Sequence, residues 1–152
     1  MHVLVPKHPT SIVPIFFNID ASVGEKGQNS KQEDILLVQF LLRTIAETAK
    51  SSSPAGEARR LRIAKVPVTG ACDSLTIDGI RAWQEGRHDG AAATIVDGRA
   101  DSARDVFYVK EGEWTIADLN GMFRLLFPAQ WPRLQDHPKC PPQIKLRMSQ
   151  LL

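Results

Sequence analysis

The stretch Asp34-Ile35-Leu36-Leu37-Val38-Gln39-Phe40-Leu41-Leu42 limits the fold more than any other part of the chain. Ile35, Val38, Leu41 or Leu42, Ile45 and Ala49 recur at helical spacing as far as Lys50, while Leu36, Leu37 and Phe40 extend the apolar surface beyond one face. A helix with this pattern is buried on most sides and forms the centre of a core. Ser30 and Glu33, three residues apart, carry the capping-box signature that would start it.

A chain of 152 residues, 43% hydrophobic and 24% charged, is expected to form one compact domain without disulfide staples or a metal. Cys72 and Cys140 are too few for a disulfide framework or a zinc set and are read as free thiols. The formal charge of +2 excludes a whole-molecule field of the kind that draws nucleic acid. Near the amino terminus, Lys7 is the single basic residue, and Pro14 splits the apolar run of residues 12–17, so the continuous core of a signal peptide is missing. No stretch approaches the roughly 20 apolar residues that cross a bilayer. The expectation is a protein cytoplasmic at synthesis, leaving the cell only by a non-Sec route or by lysis.

The first thirty residues read as an irregular strand near residues 11–17 followed by a turn. Ser51-Ser52-Ser53-Pro54-Ala55-Gly56 reads as a loop leading into a basic run, in which Lys50, Arg59, Arg60, Arg62 and Lys65 face Glu57 alone. A second helix begins at Asp73 or Ser74, places Ile77, Ile80, Trp83 and Gln84 along one side and ends near residues 86–90. Gly79 within it costs stability, and a close helix-helix approach there would explain its presence. Val106-Phe107-Tyr108-Val109 reads as a second strand, expected to pair with the first. A third helix runs from Thr115, with Asp118 as an imperfect capping box, to Pro128, and Pro141-Pro142 open a last one with Ile144, Met148 and Leu151 on its buried face.

Between residues 68 and 84 stand a turn with Gly70, a capped helix start, Thr76, Ile80 and the pair Trp83-Gln84; Ile95-Val96-Asp97-Gly98-Arg99-Ala100 follows as a second glycine turn. Gly70 and Gly98 supply the positive φ that reverses a chain tightly. Gln39 and Gln84 offer two-sided amides to the backbone groups of such turns, and Trp83 adds a large apolar body against the first helix. Read this way, Gln39, Thr76, Ile80, Trp83 and Gln84 are a structural signature. The order of these elements, with the aliphatic-Gln of the first helix, resembles the peptidoglycan-binding-like family over residues 30–104. The resemblance implies a mainly α fold, a small orthogonal helical bundle with a minor two-stranded β element. Residues 1–29 and 105–152 decorate that core as a strand and extra C-terminal helices. It also implies affinity for the peptide stem of muropeptides, with Thr69, Gly70, Asp97, Gly98 and Arg99 as candidate ligand-binding residues. Thr69 and Asp73 depart from the family pattern, and residues 51–66 are longer than its norm.

Chemistry of other kinds lacks its residues. His2, His8, His88 and His137 are scattered without metal-ligand spacing, and no nucleophile elbow, Walker or dinucleotide glycine pattern occurs. The expectation is a non-enzyme without cofactor or membrane partner, binding peptidoglycan. The alternative is a protein-protein adaptor on the same scaffold in a phage or contractile secretion assembly. Nucleic acid, through Arg59 to Lys65, is the remote third reading because aromatic interleaving is absent.

Overall fold

A computed structural model describes residues 1–5, 15–89, 95–104, 108–109 and 112–151. Along these the chain forms β1 (His2–Leu4), β2 (Phe16–Asn18), β3 (Val23–Gly24), α1 (Gln32–Thr48), α2 (Pro54–Ile63), α3 (Ser74–Asp89), β4 (Arg99–Ala100), β5 (Tyr108–Val109), β6 (Gly112–Glu113), α4 (Thr115–Leu126) and α5 (Pro142–Leu151). The fold is mainly helical, with short antiparallel strand pairs as its minor component.

The apolar circumference of α1 has its physical counterpart in four neighbours: α2, α3, α4 and α5 all pack against it. Leu37, Val38, Leu41 and Leu42 are fully buried, each worth about 1.5–3 kcal/mol of transfer free energy. The capping box at its start does not form. Lys31 takes the N-cap position without a side-chain bond, and Glu33 faces cations instead, 3.6 Å from Arg147 and 4.0 Å from the Met1 amino group. The start of α1 is tied down by Asp34. Its fully buried carboxylate accepts the N–H groups of Asp20 (3.1 Å) and Ala21 (2.8 Å) and lies 2.8 Å from the Met1 amino group.

Residues 54–63, expected as loop and solvated basic run, form α2. Ser53 is its N-cap, accepting the Gly56 N–H at 3.1 Å, and Pro54 occupies the first turn, where its missing N–H costs nothing. The basic residues are engaged rather than free: Arg60 pairs with Glu57 (2.6 Å), Arg59 with Asp89 (2.7 Å), and Arg62 bridges Asp78 (2.6 Å) and Glu85 (2.5 Å) on α3. A close approach is present at Gly79, but it is made by a residue that follows a helix and not by a helix face. A Cβ there would stand 2.2 Å from Val66 Cγ2, just beyond α2. At the start of α3, Asp73 accepts both the N–H (2.8 Å) and the hydroxyl (2.7 Å) of Thr76.

Among the described residues the expected long-range strand pair is not found. β2 pairs with β1 in the register His2↔Asn18, Val3↔Phe17, Leu4↔Phe16, and β5 pairs with β6; residues 11–14 and 106–107 lie outside the described residues. Two side-chain amides act around β2 as a further strand would: Asn120 pairs the backbone of β2, and Asn18, on β2 itself, pairs the backbone of Ala103. Asn120 of α4 accepts the Phe17 N–H (2.8 Å) and donates to the Phe17 carbonyl (3.0 Å), while Asn18 does the same for Ala103 (2.9 and 2.7 Å). Buried backbone polar groups must be paired, and a carboxamide matches a peptide unit in both donor and acceptor.

α4 starts at Thr115 as expected, but Trp114 is the N-cap and makes no side-chain bond. Asp118, expected in a capping role, accepts the Trp83 indole N–H (2.8 Å) and pairs with Arg87. Ile144 and Met148 bury one face of α5. His137 is enclosed by three rings, Phe40, Phe123 and Phe127, with centroids 5.6, 5.7 and 4.9 Å away.

Candidate functional site

The two glycine turns are built in the same way. Gln39 leaves α1 fully buried; its Oε1 accepts the N–H groups of Thr69 (3.0 Å) and Gly70 (2.9 Å), and its Nε2 donates to the Ala71 carbonyl (2.9 Å) and the Thr76 hydroxyl (2.9 Å). Gln84 repeats this from α3. Its Oε1 accepts the N–H groups of Asp97 (3.1 Å) and Gly98 (2.8 Å), and its Nε2 donates to the Arg99 carbonyl (2.9 Å), the Thr115 hydroxyl (3.2 Å) and Asp97 Oδ1 (3.1 Å). Each glutamine therefore clasps a glycine turn and the hydroxyl that opens the following helix: Thr76 for α3, Thr115 for α4. Gly70 and Gly98 hold φ of +78° and +74°, the left-handed region that the turns require. The role of Thr115 escaped the sequence reading, although the order Gln, Gly turn, Thr recurs within the chain.

These clasps decide what the candidate ligand-binding residues can do. Asp97, Gly98 and Arg99 are committed internally. The Gly98 carbonyl accepts the Glu25 N–H (3.0 Å), Asp97 Oδ1 also accepts the Arg99 N–H (2.9 Å), and the Arg99 guanidinium pairs with Asp101 (3.0 Å). β3 covers this turn through its pairing with β4, so tightly that a Cβ on Gly24 would stand 2.2 Å from the Gly98 oxygen. Trp83, expected to lie against α1, is half-buried with its indole N–H directed to Asp118 of α4, and Ile80 is fully buried.

Thr69 is exposed and opens onto solvent. It borders a recess of about 490 Å³ whose walls are Leu36, Val68 and the Pro-rich segment of residues 138–142. That volume is within the ~300–1,000 Å³ range of small-ligand sites. Lys139, Gln143 and Lys145 are its polar groups; Lys139 reaches Glu47 at 2.6 Å, whereas Lys145 has no ion-pair partner among the described residues. Burial pushes the Cys140 thiol on this wall up to about 12, so it is protonated and unreactive at neutral pH. The polar residues of α5 had no motif to mark them, because their contribution arises only when that helix is folded back beside Thr69.

Among the described residues no group of three His, Cys, Asp or Glu side chains is placed to hold a metal ion, and no helix is long and apolar enough to cross a membrane. The chain matches no protein-family model, no curated protein and no solved structure.

Proposed function

We propose that this chain is a non-catalytic binding module on a peptidoglycan-binding-like scaffold, and that its ligand is the peptide stem of peptidoglycan, held in the recess at Thr69. The observation that carries the reading is the recess itself: an open concavity beside the Gly70 turn, with a hydroxyl, a carboxamide and the ammonium of Lys145, unpaired among the described residues, on proline and aliphatic walls. Those groups complement a short peptide bearing carboxylates, the cation meeting charge and the polar groups meeting main-chain amides. The twice-repeated clasp of glutamine, glycine turn and threonine supports the scaffold, since it gives the family-like residues a structural task and leaves Thr69 outward.

Sedimentation with insoluble sacculi tests the proposal. The protein is expected in the pellet at low salt, with Lys145→Glu moving it to the supernatant. Wild-type protein left wholly in the supernatant would reject the reading.

A second reading is favoured by Leu125 of α4 and Leu146 of α5, which are 72% and 65% exposed outside the 30–104 core. An adaptor would use these residues against a protein partner. Co-purification that is lost in Leu125→Ser and Leu146→Ser variants, with sacculus binding absent, would establish it.

A further inference from the structure

A second concavity, of about 230 Å³, lies on the other end of α1 and takes no part in the recess above. Its floor is apolar: Ile45, Ala46 and Ala49 of the α1 end, Ile63 of α2, Trp83 of α3 and Met122 of α4. Its rim is cationic, with Lys50, Arg59, Arg60 and Arg87 around the opening. Three of these four already hold carboxylates, Arg59 with Asp89, Arg60 with Glu57 and Arg87 with Asp118; Lys50 has no ion-pair partner among the described residues. The rim therefore carries one unmatched positive charge above an apolar floor.

Two backbone features reinforce that sign. The first turn of α2 borders the opening at Gly56, and helix starts favour negative charge. The opposing negative end of α1 is neutralised locally, because Arg60 Nη1 donates to the Ala46 carbonyl at 2.7 Å. Gly86 lies beneath Arg59, whose Nε stands 3.4 Å from where a Cβ would be.

We infer that this concavity is a binding site for a small amphipathic carboxylic acid, its aliphatic or aromatic body on the Trp83 floor and its carboxylate at Lys50. The site is independent of peptidoglycan binding, and α2 builds one wall of it.

Octanoate serves as the probe, followed by tryptophan fluorescence and amide chemical shifts of the full chain. Saturable binding with a dissociation constant near or below about 1 mM is expected, which a ligand of this size can reach. The shifts should centre on the amides of Ala49, Gly56 and Gly86, and octylamine should bind at least about threefold more weakly. Lys50→Gln, at an exposed position, should weaken octanoate by about threefold, and Ala49→Leu should fill the floor and abolish binding. Absence of saturable binding, equal affinity for octylamine, or shifts centred on Thr69 and Gln143 would each overturn the inference.

Discussion

Replacing Gln84 by Leu tests the clasp directly. The substitution keeps the volume on α3 but removes both ends of the amide. Asp97 is half-exposed and regains water, and the Thr115 hydroxyl loses the donor it accepts from. The Gly98 N–H is buried and the Arg99 carbonyl part-buried, and Gln84 is the partner of both. Leaving a buried backbone group unpaired costs about 1–3 kcal/mol, so two of them set an expected loss of about 3 kcal/mol. For a chain of this length that corresponds to a fall in Tm of roughly 6–12 °C. Urea and thermal unfolding followed by far-ultraviolet circular dichroism measure the loss, and hydrogen exchange at the Gly98 amide locates it. Gln39→Leu should behave alike, and exposed Gln150→Leu should stay within about 0.5 kcal/mol of wild type. A loss below about 1 kcal/mol for both buried glutamines would refute the idea that these amides hold the turns.

Further outcomes follow from other contacts. Gly24→Ala should destabilise more than Gly98→Ala, because the new Cβ of the first meets a backbone oxygen at 2.2 Å while that of the second meets side-chain atoms at 3.1 and 3.2 Å; denaturant midpoints rank the two. Gly79→Ala should cost about 1–3 kcal/mol against Val66 and be largely rescued by Val66→Ala, as a double-mutant cycle would show. Burial first, and then Lys139 and Lys145, hold the His137 pKa below its usual 6.5. The unfolded chain therefore takes up a proton that the folded chain refuses. Stability should be independent of this group above about pH 6.5 and fall below it, and His137→Phe should flatten that slope in unfolding measured at about pH 7.5 and about pH 5.5. With a thiol reagent at mildly alkaline pH, half-exposed Cys72 should label before Cys140, whose thiol is buried and pushed up to about 12; equal rates would contradict the packing of residues 138–142.

The legible parts of the fold were those written in periodicity. α1 and α3 carry repeated apolar positions and, for α3, a competent cap in Asp73, so their placement needed no tertiary information. α2 was hidden because its single buried residue is Ile63 and its surface is basic; Ser53-Pro54 was the available sign, a cap followed by a first-turn proline. The strand pairing was illegible for another reason. Strands of two or three residues carry no register of their own, and the partners of β2 are β1 and the amide of Asn120, whose choice depends on α4 being in place. For the candidate site, the glycines and glutamines stood out as a set, yet the pattern could not show that β3 would cover the Gly98 turn and leave Thr69 outward. Nor could it bring Lys145 to that threonine.

Each glutamine fixes only the two ends of the connection it closes and is indifferent to how much chain lies between them. The first interval accommodates a whole helix, α2, ahead of its turn, and the second accommodates β5 and β6 between its turn and Thr115, with like bonds at the junctions. Those intervals are accordingly natural grafting points: foreign segments of varied length spliced into either one should leave the helical frame standing, as long as the turn and its threonine are retained.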